Sequence, residues 1–199
     1  MEMFAGAGKK VIRLSIAIPV VAAALLSPSL SPTSHAQRGL DADTLAIEQV
    51  VIQAETAKET LYMAPNTAPG VAIAASEVQT AEASAYAELG ALYSPGSSLL
   101  AFQTRRVGQW MAAQASGDNK LLAGGIRDAT FGAVTSTGAA ATAHLTFTTY
   151  AVYAVRQPTG SIVTYTPSSQ IIADITLNKT DQGWRITNDS WQFAPGSEP

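Results

Sequence analysis

Around residue 119 the hydrophobic period of this chain changes from 3.6 residues to 2, and that change constrains the fold more than anything else in the sequence. Before it, apolar residues recur as helical stripes. After it, four segments alternate apolar and polar residues and are joined by short Gly-containing turns. Helices followed by a run of hairpin-linked strands specify an α+β domain with an antiparallel sheet, because a parallel sheet needs a crossover between successive strands.

In the first helical segment Ile47, Val50, Ala54, Ala57 and Leu61 form one stripe, with Glu48, Glu55 and Glu59 on the other side. Asp41 or Asp43 offers the N-cap carboxylate, and the helix of about five turns ends before Pro65. Residues 63–71, with two prolines and Gly70, read as a loop. A second helix spans 76–93, capped by Ser76 and striped by Val78, Ala81, Ala85, Leu89 and Leu92; Ser94-Pro95-Gly96-Ser97 stops it. A third runs over Ser98–Gln114, with Leu100, Val107, Trp110 and Met111 inward and Arg105-Arg106 partly outward.

A first strand is expected over 126–134. In the second, Ala141, Ala143, Leu145, Phe147, Ala151, Tyr153 and Val155 share one face. The third puts Val163, Tyr165, Ile171, Ala173, Ile175 and Leu177 on one face, with a bulge expected at Pro167-Ser168-Ser169. Matching these faces across a turn at Pro158-Thr159-Gly160 makes paired residue numbers sum to 318, so that Leu145 opposes Ala173 and Phe147 opposes Ile171. In the last hairpin a four-residue loop between Asn178 and Gly183 sets Leu177 opposite Trp184 and Ile175 opposite Ile186.

The first thirty-six residues read as an export leader. Lys9, Lys10 and Arg13 are followed by an apolar run over 14–26 and by Ser34-His35-Ala36, small residues where a signal peptidase cuts. The apolar run is shorter than the roughly 20 residues of a membrane span, which favours cleavage after Ala36; an uncleaved N-terminal anchor is the competing reading. Residues 37–43 read as a linker, 44–194 as the domain and 195–199 as a tail. Without its leader the chain carries a net charge of −5, which argues against nucleic acid or an anionic membrane as partner. There is no cysteine, hence no disulfide, thiolate metal site or thiol nucleophile.

Three helices before a curved four-stranded meander resemble the cone-shaped NTF2-like (cystatin-like) fold. The specific part is the closing pattern Ile175-x-Leu177-x-Lys179-x-x-x-Gly183-Trp184-x-Ile186-x-x-Asp189. It is similar to accessory domains of exported bacterial proteins, including those found next to cell-wall amidase-type domains. In such proteins the neighbour carries the chemistry. No such neighbour follows within this sequence, so the resemblance implies a free-standing cup or scaffold, and folds of this kind often pair sheet to sheet as homodimers.

Two groups of residues are candidates for a site. His144 and Asp174 oppose one another in the 318 register; they form either an acid–base dyad, as isomerases and dehydratases of this fold class use, or a surface cross-strand pair on the polar face. Trp110, Phe147, Tyr153, Tyr165 and Trp184 either line a pocket for a small apolar ligand or fill the space between helices and sheet. No metalloprotease, P-loop, dinucleotide-binding or serine-hydrolase motif is present, and one His after the leader cannot build a His-rich zinc site. The expectation is therefore an extracytoplasmic binding module of the bacterial cell envelope, without cofactor or metal. It would partner an envelope protein or a small apolar ligand. The alternatives are a small isomerase or dehydratase using His144 and Asp174, or a carrier of a hydrophobic ligand.

Overall fold

The structure, a computed structural model, describes residues 42–65 and 68–198. The expected leader over 1–36 and its cleavage point lie outside these residues. Among them, three helices, α1 (Ala42–Thr60), α2 (Ala75–Leu92) and α3 (Ser98–Gln114), precede five strands. The strands are β1 (Asn119–Ser136), β2 (Ala140–Arg156), β3 (Ile162–Tyr165), β4 (Ser168–Thr180) and β5 (Gly183–Phe193). The architecture is α+β, with the helices on one face of a long antiparallel sheet ordered β1-β2-β4-β5 and β3 beside the end of β2.

Local chemistry accounts for most element ends. α3 starts where Ser97 Oγ accepts a hydrogen bond from the Leu100 N–H at 3.1 Å. α2 starts one residue before the expected cap: Ala74 precedes it without a side-chain cap, and Ser76 lies inside the helix, its carbonyl accepting from Thr80 Oγ1. Asp43 also lies inside its helix rather than capping it. Its carboxylate accepts from Lys179 Nζ at 2.7 and 2.9 Å and from Trp184 Nε1 at 3.4 Å, which ties the start of α1 to the β4–β5 hairpin.

The β2–β4 register is the one expected from face matching, with Leu145 opposite Ala173, Phe147 opposite Ile171 and His144 opposite Asp174. Tyr153 opposite Tyr165 continues the same register into β3. The break at Thr166-Pro167 is thus an interruption and not the expected bulge, since no residue is inserted; the Pro167 carbonyl still accepts from the Ala151 N–H. One expected strand becomes two, which makes five strands instead of four.

The last hairpin is tighter than expected. Thr180 pairs with Gly183, leaving a two-residue turn of Asp181 and Gln182. Thr180 Oγ1 accepts from the Gln182 N–H and donates to the Gly183 carbonyl, while Gly183 takes φ 102°, a left-handed conformation that glycine adopts without a Cβ penalty. The register therefore slips by two, and Leu177 pairs with Ile186 instead of Trp184. A bulge then opens at Thr187: Leu177 opposes Ile186, but Thr176 opposes Asn188. One extra residue on β5 reverses its faces, so Asp189 stands opposite Ile175, on the core side.

β1 also begins earlier than the alternation suggested, at Asn119. Gly124 and Gly125 hide the start because they carry no side chain to show a face. A Cβ on Gly124 would lie 2.5 Å from the Glu59 carbonyl oxygen, so glycine here is what lets the end of α1 press onto β1. Ile47, Val51 and Ala54 of α1, Leu89 of α2, Met111 of α3 and Leu145, Ala173, Leu177 and Ile186 of the sheet form the buried core between the layers.

Candidate functional site

His144 and Asp174 meet as their register requires, with Nδ1···Oδ1 at 2.8 Å. They line an open cleft with Ala133, Thr142, Ala143, Ile175 and Thr176. Their side chains are 44% and 76% exposed. A general base gains from a site that excludes water, and this pair has water on it already. The geometry is that of a surface cross-strand pair.

The five aromatic candidates separate into three places. Phe147 is buried in the core, and Trp184 is buried at the hairpin end, where Lys179 Nζ lies 5.5 Å from its ring centre. The other three share one end of the sheet. Tyr62, Trp110 and Tyr153 stack in a row with centroids 6.1 and 6.0 Å apart. Tyr165 stands directly across from Tyr153 on the same face of the sheet and is 50% exposed. Arg106 lies over both Tyr62, at 5.0 Å, and Phe102, at 5.7 Å. Farther along the same face Trp191 and Phe193 pair with Ala173 and Ile171 and touch edge to face, Trp191 being largely exposed. Tyr62, Phe102 and Trp191 were not singled out by sequence reasoning, and Arg106 was read only as a partly outward helix residue; the spacing of Phe102 and Arg106, four residues apart on one helix, was the signal available.

A third group gathers around a residue that the sequence placed on the wrong side. Glu55, expected on the solvent face of α1, is 1% exposed. Lys58, one turn on, lies 2.5 Å from Glu55 Oε2 and 2.6 Å from Asp189 Oδ2, and the Asp189 side chain is 3% exposed. Glu55 Oε1, Asp189 Oδ1 and the hydroxyl of the buried Tyr93 have no hydrogen-bond partner among the described residues. Burial raises the Glu55 carboxyl to about 7, with the Asp189 and Glu59 charges adding to this and Lys58 opposing it. Burial also raises the Tyr93 phenol, helped by Glu55 and Asp189. Burial by itself would lower Lys58, but the two facing carboxylates outweigh it and hold the ammonium above its ordinary range. Neither described cleft, the one at His144 nor the one at Pro65, Ser76, Glu77, Thr80, Ala81 and Ser84, is lined by these groups. The cluster joins α1 to β5 within the core.

Three helices followed by an antiparallel sheet that they cover on one face define an α+β fold, the class that the resemblance to NTF2-like proteins implied. No protein-family model and no curated protein matches the sequence. Among solved structures the chain is similar to the intermembrane space region of the chloroplast protein ARC6, at 17% identity over 76% of this chain and 98% of that one, TM-score 0.44. It is similar to an NTF2-like superfamily protein from Salmonella enterica at 16% identity, over 61% and 89% of the two chains, TM-score 0.37. An NTF2-like protein with a cystatin-like fold from Novosphingobium aromaticivorans matches at 20% identity over 49% of this chain and 55% of its own, TM-score 0.30. No helix among the described residues is long and apolar enough to cross a membrane.

Proposed function

We propose that this chain is an exported, non-catalytic binding module of the cell envelope that holds an apolar segment of a partner protein against its aromatic rim. The observation that carries this reading is Tyr165. It is half exposed and stands directly across from Tyr153, the last ring of the row Tyr62, Trp110, Tyr153, on the same face of the sheet. Buried aromatic rings fill cores, whereas a row that runs from the core into water offers contact area already held in place, at little entropic cost to a ligand. Phe102 and Trp191 add exposed rings, and no enclosed cavity among the described clefts is lined by these residues, which suits an extended segment better than an enclosed small molecule. The exposure of His144 and Asp174 weighs against the acid–base alternative.

Panning the full-length exported protein against a displayed peptide library tests the reading. Apolar or aromatic peptides should be enriched, bind with micromolar dissociation constants, and lose at least tenfold in affinity on Tyr165→Ser or Trp110→Ala. Peptides indifferent to both substitutions, or no enrichment over bare support, would contradict it. Export rests on the leader: the intact mass of secreted protein should correspond to a chain beginning at Gln37, and a retained 1–36 segment would favour the anchor.

A further inference from the structure

The edges of this sheet are not treated alike. β1 carries three register shifts along its length and Asp128 at φ 55°, irregularities that spoil a straight edge. The β5 edge is covered at Ile186, whose carbonyl accepts from the Ser94 N–H and whose backbone bridges to Tyr93. β3 has neither device. It pairs with β2 alone, and residues 161–168 are all exposed.

The hydrogen-bond phase of β3 follows from its two ends. The Gln157 N–H donates to the Ser161 carbonyl and the Ala151 N–H to the Pro167 carbonyl, so odd-numbered residues here face β2. Val163 and Tyr165 therefore turn their amides and carbonyls inward. Ile162, Thr164, Thr166 and Ser168 turn theirs to the open side. Two residues on, that same row is occupied: the Gln170 carbonyl accepts from the Ala194 N–H at 2.9 Å and from Ser197 Oγ at 2.8 Å. There the chain turns away, with Gly196 at φ 78° and the Ser197 N–H bonded to the Ala194 carbonyl. A notch the length of one strand remains beside β3, in line with β5. Missing N–H groups do not spoil it, because Pro167 faces β2.

We infer that a second copy of this chain fills the notch, β3 pairing antiparallel with β3 of its partner about a twofold axis near Tyr165. In that register Ile162 meets Ser168 of the other copy and Thr164 meets Thr166, so every outward amide and carbonyl finds a partner. Charge points to a second copy. Residues 157–173 are seventeen in a row without Asp, Glu, Lys or Arg, in a chain where natural edges use such charges to stay apart. In a twofold contact any charge would face its own image, and none is there to be repelled. A contact of about eight residues a side is well below the roughly 20–30 of a standard specific interface, so the dimer is weak and reversible. It joins two aromatic rims into one surface, yet needs no ligand to form.

Sedimentation of the full-length exported protein across concentration tests this without reference to ligand binding. A monomer–dimer equilibrium is expected, with association at least tenfold weaker in Thr164→Lys and an unchanged urea midpoint, since that backbone makes no internal bond on its open side. Because the chain has no cysteine, Tyr165→Cys gives a single-thiol probe that should trap a disulfide dimer under mild oxidation. Directly opposed residues that exchange no hydrogen bonds have Cα atoms about 4.5 Å apart, within reach of a disulfide. Thr159→Cys, at the hairpin tip, should not cross-link. A monomer up to hundreds of micromolar, a dimer unaffected by Thr164→Lys, or a dimer that Tyr165→Cys fails to trap would each overturn the inference. So would a monomer whose β3 edge takes up only foreign peptide.

Discussion

Lys58 Nζ of α1 lies 2.6 Å from Asp189 Oδ2 of β5, a contact between residues 131 apart in the chain. It exists because the bulge at Thr187 turns Asp189 inward, and because Lys58 lies one helical turn past Glu55 on the buried side of α1. The closing pattern Trp184-x-Ile186-x-x-Asp189 carries this in its spacing: two residues, then three, with the extra one being the bulge.

Removing the cation should be costly. Lys58→Met leaves two carboxylates facing each other in the core, and breaking a buried pair from one side costs on the order of 3–5 kcal/mol. Urea unfolding of the variant checks this; a loss under about 1 kcal/mol would mean the cluster is better hydrated than its burial implies.

Stability should fall as pH rises through the range of Glu55. The folded protein binds this proton more tightly, at about 7 against the ordinary 4.5. The contribution is therefore present below 4.5 and lost as pH rises to about 7, amounting to roughly 3 kcal/mol at most. Glu55→Gln should remove that slope, so the difference in unfolding free energy between variant and parent should grow from pH 4.5 to 7 in favour of the variant. Parallel pH profiles would refute the assignment.

Two glycines should answer differently to alanine. Gly124→Ala drives a methyl against the Glu59 carbonyl and should cost about 2–3 kcal/mol by pushing α1 off β1. Gly138→Ala meets open space and pays only for its φ of 85°, about 1 kcal/mol. Thermal unfolding should rank them in that order.

His144→Ala should leave the fold within about 0.5 kcal/mol of the parent, because an exposed pair gives up little when one partner is removed. A larger loss in chemical denaturation would assign the pair a structural role that its exposure does not suggest.

The parts of the fold legible in the sequence are those where polarity and burial agree. The β2–β4 register followed from alternation and the turn at Pro158-Thr159-Gly160, and α3 from its stripe and stops. Glu55 and Lys58 defeat that logic, since a charged residue at a core position reads as a solvent face until its partner is known. Asp189 was hidden twice, by its charge and by the bulge that reverses β5. Gly124 and Gly125 concealed the start of β1 because a residue without a side chain shows no face. Of the aromatic candidates, the sequence could put Trp110, Tyr153 and Tyr165 on inward faces. Which of them would reach water depends on where the helices end over the sheet, and that is a tertiary property.

The central claim is that ligand is held at the rim and not in the core cluster or the His144 cleft. Amide chemical-shift mapping of the full-length protein, titrated with a peptide enriched by panning, tests it most directly. The account predicts the largest shifts at Phe102, Trp110, Tyr153 and Tyr165, with His144, Asp174, Glu55 and Asp189 unmoved. Shifts centred on His144 and Asp174, or on Glu55 and Asp189, would contradict it.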